Sequence, residues 1–159
     1  CAVNGFAAGA GANIALSCDI VFASKASSFI QAFSAIGLIP DSGGTFTLPR
    51  LIGWQKATAL MMLGDKVGAE DAEKMGMIYK AIEPDDLMEE ATKVATRLSK
   101  MATYGLGLTK RALNASFTND LKSQLALEGE LQTLAGTSYD YKEGVNAFLE
   151  KRKPNYKGN

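Results

Sequence analysis

The hydrophobic pattern of residues 1–82 alternates between short apolar strands and short helices. Strands are predicted at four places: residues 2–4, 19–24, 28–31 and 77–82. A loop of Gly and Ala at residues 5–11 leads into a short helix at residues 12–17 that carries no polar stripe. A single helical turn is expected at residues 33–36. Strands that alternate with helices are typical of an α/β fold, which we predict for this part of the chain.

From residue 44 onward the spacing of apolar residues becomes helical. Helices are predicted at residues 45–51, 54–63, 69–75, 85–100, 104–115, 119–135 and 138–152. Gly64 and Gly76 each follow a helical stretch, as glycines at helix C-termini do. Residues 83–159 are therefore predicted to form a second, helical region, whose basic tail is expected to be extended after Pro154.

The composition narrows the class of protein. The chain has 159 residues, of which 47% are hydrophobic and 21% charged, and 17 cationic side chains balance 17 acidic ones. These values are typical of one soluble globular domain or part of one. The balanced charge argues against nucleic acid as the main partner. No apolar run reaches the roughly 18 residues of a membrane-spanning helix, so no membrane role is predicted.

Two residue types narrow the chemistry. The chain contains no histidine, which excludes His-based acid–base catalysis and histidine metal ligands, and we predict no metal site. The two cysteines, Cys1 and Cys18, show no CxxC spacing, so a disulfide framework is not indicated and a reducing, cytoplasmic location is predicted. Cys18 is expected to be a buried thiol and Asp19 a buried structural acid.

The Gly/Ala loop at residues 5–11 supports two interpretations. It can be a tight turn that lets a helix pack closely on a strand. It can also be an oxyanion site, because bare N–H groups at a helix N-terminus hold developing negative charge. The segment GAGANI at residues 9–14 is not a dinucleotide fingerprint, since Ile14 replaces its third glycine.

Asp41 lies in a Pro-Asp-Ser-Gly-Gly turn and also has two interpretations. As a structural residue it would form the turn or act as the N-cap of the helix near Thr45. As a chemical group, one positioned carboxylate beside an anion site can move a proton next to a carbonyl. Ser42 is not a protease-like nucleophile, because the chain has no histidine to serve as its base.

The last predicted helix and the residue after it combine aromatic and basic side chains at the end of the chain. Its members are Tyr139, Tyr141, Phe148, Lys151, Arg152 and Lys153. These side chains fit either a solvated helix terminus or a binding site for an aromatic ligand that carries phosphate.

Three segments together resemble the enoyl-CoA hydratase/isomerase (crotonase) family: AVNGFAAGAGANIALSCDIVFAS, IGLIPDSGGTFTLPRLIG and EGVNAFLEKRKPNYKG. The resemblance covers essentially the whole chain in order, and the isomerase-like enzymes of phenylacetate degradation are the branch it resembles most. It implies an α/β crotonase-like spiral core, of which residues 1–82 are the C-terminal half. Residues 83–159 would be a helical trimerisation region. The chain also lacks an initiating Met, so we expect a protein truncated at its N-terminus.

The resemblance implies an acyl-CoA thioester as substrate and two backbone N–H groups that stabilise its enolate. The second of these donors falls at Ala10, between Gly9 and Gly11, and the first would lie upstream of this chain. Phe148 and Lys151 match positions that touch the adenine and phosphate of CoA. Since CoA is part of the substrate, no separate cofactor is implied. Family members are usually homotrimers or hexamers.

Residues 13, 33 and 41 favour one branch of the family. In a true hydratase two glutamates flank a water, and they would lie at Asn13 and Phe33, neither of which is acidic. Asp41 matches the single acid of the isomerase branch. Phe33 and Leu38 are expected to shape the acyl pocket, and Asn13 to contact the substrate. The resemblance therefore implies double-bond isomerisation with Asp41 as the proton shuttle. Two alternatives stay open, a hydratase that uses Asp41 and a water, and an inactive assembly fragment.

Overall fold

The computed structural model describes residues 1–159, which form two compact units, Cys1–Lys93 and Val94–Asn159. The division falls inside the helix that follows the last strand. The predicted boundary at 82/83 precedes that helix.

The first unit contains six short strands and four complete helices. The strands are β1 (Ala2–Val3), β2 (Phe6–Ala8), β3 (Phe22–Ser24), β4 (Ser28–Ile30), β5 (Lys66–Gly68) and β6 (Lys80–Ile82). The helices are α1 (Ala10–Leu16), α2 (Gly44–Ile52), α3 (Trp54–Leu63) and α4 (Ala69–Lys74), with 3₁₀ turns at Ser34–Ile36 and Pro84–Asp86. A further helix, α5 (Leu87–Ser99), continues into the second unit.

The strands form two three-stranded sheets. One has the order β1-β3-β6 and is parallel throughout. The other has the order β2-β4-β5, in which β2 and β4 are parallel and β5 is antiparallel to β4. The mixed α/β architecture confirms the predicted fold class.

Two strands were not predicted from the sequence. β2 lies within residues 5–11, where a loop is expected, and pairs Ala7 with Phe29 of β4. β5 follows α3 and pairs Val67 with Phe29 from the other side. Unlike the predicted strands, β2 and β5 do not lie within a longer apolar run, so they carry no local signal and their stability depends on the distant strand they pair with.

The core of the first unit lies between the sheets and helices α1, α2 and α4. Its buried apolar residues include Ala12, Leu16, Ala23, Phe29, Leu48, Ile52, Ala72 and Met77. The small residues of α1 allow the close helix–strand contact that the sequence predicts. Two predicted core members, Cys18 and Asp19, are exposed instead, because α1 ends at Leu16 and the chain turns outward before β3.

The second unit contains α6 (Thr103–Ser116), α7 (Leu121–Thr137) and α8 (Tyr139–Leu149), with α7 packed against both neighbours. Side chains cap two of these helices. The Asp120 carboxylate accepts from the Ser123 N–H at 2.7 Å, and the Ser138 hydroxyl accepts from the Tyr141 N–H at 3.0 Å. None of the helices in the structure has both the length and the apolar character needed to cross a bilayer.

Candidate functional site

The Gly9–Ala10 step joins β2 to the N-terminus of α1. Gly9 has φ 55° and ψ −125°, a conformation that only glycine adopts without strain. Its own N–H donates to the Ile30 carbonyl at 2.9 Å. Ala10 is the first residue of α1, so its N–H has no acceptor within the helix. The turn thus leaves a backbone donor at Ala10 that is available to a ligand.

The Phe33 ring packs against this turn. A Cβ placed on Gly9 would lie 3.6 Å from the tip of the ring, and Phe33 is buried. The adjoining Gly11 is exposed and has open space around its Cα. Phe33 therefore packs against Gly9 and supports the loop.

The Asp41 turn presents an exposed carboxylate ahead of α2. The Ser42 hydroxyl donates to Asp41 Oδ1 at 3.0 Å, and the Gly44 N–H donates to the Asp41 carbonyl at 2.9 Å. Ser42 and Gly43 both adopt positive φ, 50° and 79°. The N-cap of α2 is Gly43 and no side chain caps it, so Asp41 is not the N-cap that one interpretation of the sequence expects. Its carboxylate is left facing solvent beside a single hydroxyl donor.

The side chain of Asn13 ties α1 to this turn. Asn13 is 1% exposed, and its Nδ2 donates to the Asp41 carbonyl at 2.9 Å. Its Oδ1 accepts from Nε2 of Gln31 at 2.8 Å. The Asp41 carbonyl therefore receives two hydrogen bonds, one from Gly44 and one from Asn13. The predicted contact of Asn13 with substrate stays a prediction, since both ends of the amide are bonded within the protein.

Gln31 was not singled out by the sequence analysis. It follows β4, is 4% exposed, and its Oε1 has no hydrogen-bond partner. The available signal is a long amide side chain directly after an apolar strand, where an apolar residue is the commoner choice. A second such signal is Asn13 on the otherwise apolar α1.

Gly44 makes room for the Asn13 side chain. A Cβ on Gly44 would lie 2.3 Å from Asn13 Nδ2 and 2.5 Å from its Cγ. No side chain fits at residue 44 while Asn13 holds its position. The close approach of α2 to α1 at this point therefore requires glycine.

An apolar groove of about 520 Å³ opens next to the Asp41 turn. The residues that line it include Leu38, Ile39, Pro40, Trp54, Met61 and Met62. Leu38 thus lies in an apolar groove, as an acyl-pocket residue would. Phe33 does not line this groove, because its ring is buried under Gly9.

The second unit carries Phe148 and Lys151. Phe148, near the end of α8, is exposed, and Lys151 has φ 54° just beyond the helix. The neighbouring Arg152 is engaged within the protein, because Nη1 and Nη2 donate to the two carboxylate oxygens of Glu143 at 2.6 and 3.0 Å. This hydrogen bond, with one from the Asn155 N–H, lowers the pKa of Glu143 to about 2. Of the basic residues at this end, Arg152 is the one that forms an ion pair with Glu143.

The C-terminal tail forms no helix after Pro154, and it folds back on α8. The buried Asp140 carboxylate accepts the N–H groups of Lys157 and Gly158 at 2.7 and 2.9 Å. The Tyr156 hydroxyl approaches Gly144 so closely that a Cβ there would lie 3.2 Å from it. The contacts with Asp140 are made by backbone amides of the tail, which carry no sequence signal. No three acidic or cysteine side chains converge into a group that could hold a metal ion.

Comparisons with known proteins agree on one family. The profile of the family described as "Enoyl-CoA hydratase/isomerase" matches residues 1–159. A curated relative, "1,2-epoxyphenylacetyl-CoA isomerase" of Escherichia coli (strain K12), is 50% identical over 99% of this chain and 60% of its own length. Another, "Probable enoyl-CoA hydratase" of Rhodobacter capsulatus, is 45% identical over 99% of this chain and 61% of its own length.

The fold of a solved relative matches as well. The crystal structure of the enoyl-CoA hydratase/isomerase from Cupriavidus metallidurans CH34 superposes with a TM-score of 0.93 at 36% identity. That match covers 99% of this chain and 59% of the other. The chain thus spans about 60% of the length of the curated relatives it matches.

Proposed function

The chain belongs to the enoyl-CoA hydratase/isomerase family, and on this basis we propose that the protein isomerises a carbon–carbon double bond of an acyl-CoA thioester. The observation that carries the proposal is the buried Asn13 side chain. It fixes an exposed carboxylate, Asp41, relative to the helix whose first N–H, at Ala10, is unpaired within α1. The Asn13 side chain thereby joins the two segments that carry the proposed proton acceptor and the proposed hydrogen-bond donor to an anion.

Asp41 is the proposed proton shuttle. In a 3-enoyl thioester its carboxylate removes a proton from carbon 2, and the electron pair moves through the thioester carbonyl to its oxygen as an enolate forms. The same carboxyl group then returns the proton to carbon 4, and the double bond ends between carbons 2 and 3. One acid suffices because the proton that leaves is the proton that returns.

Ala10 is the proposed oxyanion donor. Its N–H would stabilise the enolate oxygen, and one such donor contributes about 3–4 kcal/mol to lowering a barrier of this kind. Gly9 makes the donor accessible, because its positive φ turns the backbone just before α1 begins. No metal or redox cofactor enters this proposal, since CoA is part of the substrate.

Residues 13 and 33 disfavour hydration. Addition of water in two steps needs one group to activate the water and another to deliver a proton. Asn13 cannot titrate and is bonded at both ends, and Phe33 is a buried ring. Asp41 is left as the one ionisable group of the three.

The apolar groove beside Asp41 is the proposed place for the acyl group, with Leu38 in its wall. Phe148 and Lys151 are proposed to contact the adenine and phosphate of CoA, where a ring can stack and an ammonium can pair with an anion. We further propose a homotrimer or hexamer, which sedimentation of the purified protein would test. The proposed location is the cytoplasm.

The decisive experiment replaces Asp41 with Asn in the complete protein and measures turnover of a 3-enoyl-CoA. Loss of an acid–base group is expected to lower kcat by about 100-fold or more. Asp65→Asn, an exposed carboxylate elsewhere in the same unit, serves as the matched control. Turnover of Asp41→Asn within about tenfold of the parent would contradict the proposed mechanism.

Product analysis separates the alternatives. A crotonyl thioester converted to its hydroxyacyl product would indicate a hydratase that uses Asp41 and a water. Conversion of the 3-enoyl thioester alone would support isomerisation. An oligomer that turns over neither substrate would indicate an assembly role.

A further inference from the structure

The hydrogen bonds around Asn13 have a direction that a backbone carbonyl dictates. The Asp41 carbonyl can only accept, so the amide of Asn13 must present Nδ2 to it. Oδ1 of Asn13 then faces Gln31 and can only accept, so Gln31 must present its donor, Nε2, to this oxygen. Each of the two amides therefore has one orientation that satisfies both hydrogen bonds, and the Nε2 donor of Gln31 holds Asn13 in the orientation that the carbonyl requires.

The Asp41 turn needs such an anchor. Ser42 is a non-glycine residue with φ 50°, and Gly43 follows it at φ 79°. Non-glycine residues in the left-handed region persist only when surrounding contacts hold them. Within this turn the Gly44 N–H anchors the Asp41 carbonyl locally. Asn13 is the contact that joins the same carbonyl to a different part of the fold.

The buried state of Gln31 also calls for an explanation. Its Oε1 has no partner although the residue is 4% exposed, and an unsatisfied buried acceptor is destabilising. An apolar side chain of the same size would avoid that penalty. The benefit that offsets it is the donor that Nε2 supplies to Asn13.

We infer that Gln31 is a positioning residue for Asp41, acting through Asn13, and this inference rests on the proposed function, in which Asp41 moves the proton. Gln31 does not touch the substrate. It fixes the polarity of the Asn13 amide, the amide fixes the Asp41 carbonyl, and the carbonyl fixes the direction of the Asp41 side chain. Because proton transfer requires accurate placement, a displacement of this turn lowers kcat more than it changes substrate affinity.

Gln31→Met tests the inference in the complete protein, since it keeps the length of the side chain and removes the donor. Gln31→Leu is the second variant, because it also lacks a donor for Asn13 and keeps a side chain of similar volume. Ser28→Ala is the matched control. Ser28 lies on β4, is 1% exposed and has an unpartnered hydroxyl, so its loss also removes a buried polar atom.

Three measurements are combined for each variant: kcat and KM on a 3-enoyl-CoA, the urea midpoint, and deuterium exchange of the peptide that contains residues 41–44. Gln31→Met is expected to lower kcat by about tenfold or more with KM unchanged, and to accelerate exchange at the turn. Its urea midpoint is expected to stay close to that of Ser28→Ala. The Leu variant should lower kcat to a similar extent. Gln31→Met with parental kcat and parental exchange would overturn the inference.

Failure of the proposed function gives a different result. If Asp41→Asn keeps its turnover, the proposed role of Asp41 as proton shuttle is refuted, whatever the activity of Gln31→Met. Faster exchange at residues 41–44 in Gln31→Met then still supports the anchoring of the turn, and unchanged exchange refutes it. If Asp41→Asn is inactive while Gln31→Met keeps kcat, the inference alone fails.

Discussion

Gly44→Ala is the substitution for which the structure gives the most definite magnitude. The added methyl carbon would lie 2.3 Å from Nδ2, 2.5 Å from Cγ and 2.6 Å from Oδ1 of Asn13. All three distances are shorter than any ordinary carbon contact. Asn13 cannot swing away cheaply, because it is buried and bonded to Asp41 and Gln31.

Two costs and one gain set the expected loss of stability. Overpacking of a close contact costs about 1–3 kcal/mol, and a buried amide that loses its hydrogen bonds costs about 1–3 kcal/mol more. Alanine in place of glycine in a helix returns at most about 1 kcal/mol. The net loss is therefore expected to be about 1–5 kcal/mol in the free energy of unfolding.

Urea unfolding measures this loss, with the slope of the transition checked to be unchanged. Gly11→Ala is the matched control, because a Cβ at Gly11 meets no atom within 4 Å and the residue lies on α1 of the same unit. It is expected to be neutral or to stabilise by up to about 1 kcal/mol.

A double-mutant cycle adds a second criterion. Asn13→Ala removes the side chain that the new methyl group would strike, so Gly44→Ala combined with it should cost clearly less than the sum of the two single changes. Additive losses, or a Gly44→Ala protein as stable as Gly11→Ala, would show that the Asn13 amide is not held as described.

Other substitutions test separate parts of the structure. The Arg152 hydrogen bond lowers the pKa of Glu143 to about 2. The contribution of Glu143 to stability is therefore fully present above its unfolded pKa of 4.5 and is lost as the pH falls from 4.5 towards 2. Glu143→Gln should abolish that part of the acid transition in a pH series of urea midpoints. Asp140→Asn replaces an acceptor that serves two tail amides and should lower stability by about 1–3 kcal/mol while accelerating proteolysis of residues 154–159; a tail that stays protected would refute the anchoring. Gly9→Ala should destabilise by about 1–3 kcal/mol because of the positive φ at this residue, since the added Cβ would make only an ordinary contact with Phe33. A thermal melt equal to the parent's would contradict this.

The sequence predicted the elements whose signals are local. Helix α3 has the predicted bounds, and Gly64, with φ 74°, is its C-cap as expected. The turn pointed to Asp41 and the Gly/Ala loop to an anion site, in which the resemblance placed the donor at Ala10; both roles stay predictions. Strands β2 and β5 escaped prediction, because what makes them strands is their pairing with β4.

The parts of the site that depend on distant contacts were beyond local reasoning. Gln31 and Asn13 are 18 residues apart, and Asn13 and Asp41 are 28 apart. Each is an ordinary polar residue in its own segment, and only the fold brings them together. Likewise, the exposure of Cys18 depends on where the chain leaves α1, and the folded tail depends on Asp140, a residue without a local motif.

The contact among Asn13, Gln31 and Gly44 has a consequence for variation during evolution. Residue 44 must lack a side chain while residue 13 carries an amide, and residue 31 must donate a hydrogen bond to that amide. A change at any one of the three leaves the other two mismatched. These positions should therefore covary across lineages, with bulkier residues at 44 appearing only where 13 has become small.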